Sequence, residues 1–170
     1  MGDFADELGP GYLNLVVRRV AQRIAAGGDA YFRHKGVASA AASTAVLTYI
    51  ARHEGASIAD IASALGYTHQ AVAKAVHAME KAKLVRTVAS ADDLRKRRVS
   101  LTRDGKREAI ELDALAEHAA KVFAEIFDEI GVDLFKALRD FEHATDRRPL
   151  LGRLIELETS AQRQRVKAET

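Results

Sequence analysis

The chain has 170 residues, is 48% apolar and carries a formal net charge of +2, which allows one core plus a helical extension but not two full domains. Cysteine is absent, which excludes a disulfide framework, a thiol nucleophile and a cysteine zinc site, and points to the cytoplasm. The longest uncharged run, residues 36–51, is shorter than a bilayer span and includes Ser39, Ser43 and Thr44, so neither a membrane segment nor a secretory leader is expected.

The charge is unevenly spread. Residues 66–107 hold eleven Lys or Arg against four acids, while the remainder of the chain holds fifteen against twenty. A concentrated basic region can collect phosphate contacts that a mixed surface cannot. The plain alternative is a solvated basic face.

In chain order, residues 1–11 mix acids with Gly9, Pro10 and Gly11 and are expected to form a flexible arm. Residues 12–35 read as a helix, because Leu13, Val16, Val17, Val20 and Ile24 fall on one stripe of a 3.6-residue period. Gly27-Gly28 is expected to interrupt or bend it. A second helix over residues 39–53 turns Val46, Leu47 and Ile50 inward, with Gly55 closing it. Ser57 and Asp60 then have the spacing of a capping box, Ile58, Ile61, Ala62 and Leu65 form a two-turn stripe, and Gly66 ends it. Thr68 caps the next helix, whose buried stripe is Val72, Val76 and Met79. Two short helices joined so tightly must cross steeply, and the small Ala62 lets them approach.

The period then changes from 3.6 to 2. Residues 84–88 and 99–101 read as strands around a charged tip, a two-stranded hairpin. Thr102 caps a helix of about seven turns carrying Leu112, Leu115, Phe123, Ile126 and Ile130, and Gly131 breaks it. Leu134, Phe135, Leu138 and Phe141 continue in another helix, a last one begins after Pro149, and residues 159–170 are expected to fray.

Helix, helix, helix and hairpin between residues 36 and 102 form a winged helix-turn-helix in a mainly α chain, with long helices over residues 12–35 and 103–158 left for dimerisation. Such a head places its third helix in the major groove and its wing toward the adjacent minor groove. The face left for DNA comprises His69, Gln70, Ala73, Lys74 and His77. Gln70 can pair with adenine, Lys74 can reach guanine or a phosphate, and Thr68 can touch a phosphate as well as cap. Arg95, Arg97 and Arg98 supply the wing's charge. These positions could also be ordinary exposed polar residues of a helix and a hairpin, and the long helices could instead fold back on a monomeric core.

No enzyme chemistry is legible. His34, His53, His69, His77, His118 and His143 are scattered without an HExxH, no glycine-rich phosphate loop is present, and neither Ser100 nor Ser160 has a base beside it. No metal or cofactor is expected. A winged helix serving only as a protein interaction module remains the other class, and the basic excess argues against it.

The segment Ser57-Ile58-Ala59-Asp60-Ile61-Ala62, the helix from Thr68 to Glu80, Leu84-Val85, and Asp93-Leu94-Arg95-Lys96-Arg97-Arg98-Val99-Ser100-Leu101-Thr102 followed by Gly105 resemble the MarR family of bacterial transcription regulators. The likeness extends over about residues 12–145. It implies a homodimer on a palindromic operator in double-stranded DNA, with Asp93 organising the wing and Arg95 inserting toward the minor groove. It also implies a repressor released by a small aromatic ligand bound between the dimer helices and the winged head, where Tyr31, Phe32, Tyr49 and His53 are the nearest aromatic or polar residues. Three departures from the family's pattern are Ala71 and Ala73 in the recognition helix, Lys81-Ala82-Lys83 where a glycine commonly ends that helix, and Gly27-Gly28 in the first helix.

Overall fold

A computed structural model describes residues 3–37, 43–89 and 97–168. The chain divides into two compact units, residues 1–116 and 117–170.

The first unit opens with helix α1 (Phe4–Leu8), capped by Asp3, and a 3-10 turn at Pro10–Tyr12. Residues 3–11 therefore depart from the flexible arm expected of them, and residues 1 and 2 lie outside the described residues. The reason is a forked ion pair, in which both terminal nitrogens of Arg19 reach Asp3 at 2.9 and 2.6 Å and tie the start of the chain to helix α2 (Leu13–Lys35). Helix α2 also passes through Gly27-Gly28 without a break and ends at Gly36, whose φ of 72° is the left-handed stop. Glycine costs about 1 kcal/mol in a helix interior, which this long helix absorbs. Its Val16, Val17, Val20 and Ile24 stripe remains 36–48% exposed, while Phe32 near its end packs against the core.

Helix α3 (Thr44–Arg52) follows, and the expected residues before it, 39–42, lie outside the described residues. A two-residue strand β1 (Ala56–Ser57) leads into α4 (Ile58–Leu65), where Ser57 and Asp60 make the expected reciprocal capping box. Gly66 at φ 64° closes α4, and α5 (His69–Lys81) begins three residues later. The strands β2 (Val85–Ala89) and β3 (Arg97–Leu101) pair antiparallel, Val85 opposite Leu101. β1 joins the far edge of β3, with Ala56 opposite Val99, so the sheet has three strands in the order β1-β3-β2 rather than the hairpin's two.

The core lies where these elements meet. Leu47, Ile50, Ile61, Val72 and Val99 are at most 1% exposed, with Val76, Met79, Leu84 and Leu112 around them. Ala62, 4% exposed, belongs to this core, and α4 and α5 pack against each other. Helix α6 (Arg103–Ile130) starts against the base of the wing and contributes Leu112 to this core.

The second unit holds the end of α6, helix α7 (Leu134–Arg147) and helix α8 (Leu150–Ala168). Asp133 caps α7 by accepting the Lys136 amide at 2.8 Å. At the α7 to α8 corner, Arg153 donates to the carbonyls of Arg148 and Ala144 at 2.9 and 3.0 Å, and Arg148 pairs with Glu156. The tail expected to fray from Thr159 is helical to Ala168, because Ala, Gln, Arg and Lys favour helix. Phe135, Leu138, Phe141, Leu151 and Leu154 all stay exposed. Among the described residues no helix is long and apolar enough to cross a membrane.

Candidate nucleic-acid interface

Helix α5 is set by its two ends. At the start, the Thr68 hydroxyl accepts the Ala71 amide at 3.1 Å, satisfying one of the amides that a helix N-terminus leaves bare. At the end, Lys83 donates to the Glu80 carbonyl and Leu84 to the Met79 carbonyl, at 3.0 and 2.9 Å. This is a Schellman closure with Lys83 at the left-handed position, φ 60°. Between the ends, Val72, Val76 and Met79 anchor one face in the core. His69, Gln70, Ala73, Lys74 and His77 are exposed, as is the capping residue Thr68. The structure thus brings all five expected α5 side chains and their cap together on or beside the helix face turned from the core.

A side-chain bond joins the wing to this helix, in which the Thr87 hydroxyl of β2 donates to the Glu80 carboxylate at 2.5 Å. Arg97 and Arg98 stand at the end of β3 nearest the wing tip, both exposed, and strand alternation sends them to opposite faces. Arg98 donates to the Gly55 carbonyl at 3.2 Å, across 43 residues of sequence. One of the three wing arginines expected to face DNA is therefore also a clamp between the wing and the α3 to β1 turn. Asp93 and Arg95 lie outside the described residues.

The base of the wing is fixed from below. The Thr102 hydroxyl donates to the Lys83 carbonyl at 2.6 Å and accepts the Gly105 amide at 3.0 Å, while the Thr102 amide donates to the Leu84 carbonyl at 2.9 Å. Gly105 is where α6 passes so close that a Cβ would lie 1.9 Å from that Leu84 oxygen. The end of α5, the start of β2 and the first turn of α6 are thereby one hydrogen-bonded corner.

The four residues expected near a ligand differ in their surroundings. Tyr49 and His53 stack on each other, centroids 4.2 Å apart, with the His53 ring nitrogen Nδ1 3.1 Å from the Tyr49 carbonyl. Phe32 and Tyr49 pack against the core, whereas Tyr31 is 37% exposed with the Lys35 ammonium 5.7 Å above its ring.

Sequence reasoning passed over Tyr67, an exposed ring bearing a hydroxyl in the α4 to α5 turn, immediately before the cap. An aromatic between a terminating glycine and an N-cap threonine was the available signal. The bond from Thr87 to Glu80 and the clamp from Arg98 to Gly55 carried none, since both depend on how separate elements are placed.

Comparison with known proteins bears on this geometry. Residues 40–96 match a family model described as MarR family. No curated protein matches the chain. Among solved structures, MepR of S. aureus, in a complex with DNA, is similar at 19% identity and a TM-score of 0.62, covering 76% of this chain and 97% of its own. A MarR/EmrR family transcriptional regulator from Acinetobacter sp. ADP1 is similar at 18% identity and 0.66, covering 80% and 96%. The regulator BldR from Sulfolobus solfataricus is similar at 17% identity and 0.62, covering 86% and 99%. The fold is that of the MarR-type winged helix-turn-helix, mainly helical with a small antiparallel sheet and long C-terminal helices.

Proposed function

We propose, for a chain whose residues 40–96 match the MarR family and whose fold is that of its regulators, that it is a transcription regulator binding an imperfect palindrome in double-stranded DNA as a homodimer. The observation that carries this reading is the exposed face of α5, where Gln70 and Lys74 stand beside His69 and His77 and opposite a fully buried anchor stripe. Gln70 is suited to adenine, Lys74 to guanine or phosphate, Thr68 and Arg97 to the backbone. Arg98 serves the backbone while holding Gly55. Arg95 and Asp93 belong to the same reading as the minor-groove arginine and its support.

One winged head makes few phosphate contacts, and two related by a two-fold axis double them. Support for the dimer comes from apolar stripes left exposed in each unit, Val16 to Ile24 in the first and Phe135, Leu138 and Phe141 in the second. Release from DNA by a small aromatic molecule, with Tyr31, Phe32, Tyr49 and His53 as its contacts, completes the reading. Its support is the family likeness together with the stacked Tyr49 and His53 pair.

Selection from a random duplex library tests binding, symmetry and sequence together. The expected result is an enriched two-fold motif with half-site centres about 34 to 36 Å apart. No enriched motif, combined with negligible affinity for bulk duplex, would transfer the fold to protein interaction.

A further inference from the structure

The wing has a second basic feature, at its base instead of its tip. Arg86 of β2, Leu101 and Thr102 at the end of β3, and Arg103 and Lys106 of α6 line a concavity of about 510 Å³, within the size range of small-ligand sites. Three of its five lining residues are cationic and none is acidic. Arg103 and Lys106 are three apart, so they share one face of α6. The nearest acid in sequence, Asp104, is engaged by Arg107 at 3.1 Å and does not line the hollow. The Thr102 hydroxyl is already spent on the Lys83 and Leu84 carbonyls and the Gly105 amide. Arg86, Arg103 and Lys106 therefore border the hollow together with Leu101 as the residues left for an occupant.

We propose that this hollow binds the phosphate group of an organic phosphate, its three cations gripping the oxygens and its ester group lying along Leu101. The charge calls for a phosphate, since one carboxylate would leave most of the field uncompensated. Guanidinium forks match phosphate oxygens in pairs, and Lys adds a point charge. The hydrocarbon of Leu101 and of the long basic stems favours an ester over the bare ion. An organic phosphate reaches such a site either as a free phosphate monoester or as a backbone phosphate of DNA. An occupant would bridge β2 to the first turn of α6, and so stiffen the corner on which the wing stands. The consequence for DNA rests on the function proposed above, whereas the binding itself does not.

The experiment uses the full chain in a phosphate-free Tris buffer, with phenyl phosphate, inorganic phosphate and benzyl alcohol as calorimetric probes. Phenyl phosphate should saturate one site per chain and bind more tightly than inorganic phosphate, and benzyl alcohol should give no heat. Arg103→Gln/Lys106→Gln should weaken phenyl phosphate at least tenfold, and Arg86→Gln severalfold. A charge-matched Lys121→Gln/Arg163→Gln control should leave it within twofold. All five side chains are exposed, so thermal melts should coincide and exclude misfolding. A scrambled duplex forms the second arm. If the Arg103/Lys106 double variant also loses duplex affinity, with a log–log salt slope shallower by about 0.9 for each phosphate no longer neutralised, the phosphate belongs to DNA. Unchanged duplex affinity beside lost phenyl phosphate binding assigns the site to a free ester. Duplex and phenyl phosphate affinities both within twofold of wild type in the double variant overturn the proposal. A wild-type chain that binds phenyl phosphate at this site but no duplex would sink only the DNA reading.

Discussion

Lys83 holds a left-handed backbone, φ 60°, at the position where helices of this kind usually end on glycine. An L side chain there costs about 1–2 kcal/mol, part of which glycine's greater freedom in the unfolded chain would cancel. Lys83→Gly should therefore stabilise the protein by about 0.5–1 kcal/mol, read as a higher urea midpoint at unchanged slope. Gly105 presents the opposite case, because the neighbour that a Cβ would strike is the Leu84 carbonyl, which also accepts the Thr102 amide. Gly105→Ala cannot be relieved by a rotamer change and should cost about 1–3 kcal/mol or more, with the wing base displaced. At the other end of the chain, Arg19 and the Ala5 amide hold the Asp3 carboxyl down at about 2 instead of its ordinary 3.8. A depressed carboxylate contributes stability that is present above its unfolded value and lost as pH falls through the folded one. The tie between α1 and α2 should accordingly persist below pH 3.8 and release near pH 2, as followed by the Asp3 carboxyl resonance.

Elements were legible in the sequence wherever their determinants are local. The capping box of Ser57 and Asp60, the Thr68 cap, the Gly66 stop and the buried stripes of α3 and α5 all stand where the spacing placed them. What was not legible depends on partners far along the chain. Asp3 finds Arg19 sixteen residues away, and β1 is a strand only because β3 lies beside it, Ser57 opposite Arg98. The face of α5 was readable because three buried positions define it. The surroundings of Tyr31 and Phe32 were not, since these neighbours on one helix differ, Tyr31 exposed and Phe32 against the core. The division of labour between helix and wing yields its own test. Arg97→Ala should weaken specific and scrambled duplex alike and lower the salt slope by about 0.9 for each phosphate that the wing ceases to neutralise. Arg98→Ala should add a loss of thermal stability that Arg97→Ala lacks, because it also frees the Gly55 carbonyl.

For the whole molecule, the two units share one feature. Each leaves an amphipathic helix with its apolar stripe in water, α2 in the first and α7 in the second. Stripes of this kind on a chain of 18.5 kDa should make it a dimer at micromolar concentration, and light scattering that returns the monomer mass in every salt condition would reject the arrangement. The central claim is that this dimer reads sequence through α5. Salt-titrated binding of wild type and Gln70→Ala, each to the selected palindrome and to a scrambled duplex, tests it most directly. A neutral base contact releases no counterion, so Gln70→Ala should cost about 1–3 kcal/mol on the palindrome and leave the scrambled duplex and the salt slope unchanged. Equal losses on both duplexes, with a shallower slope, would mean that α5 grips the backbone and does not read the bases.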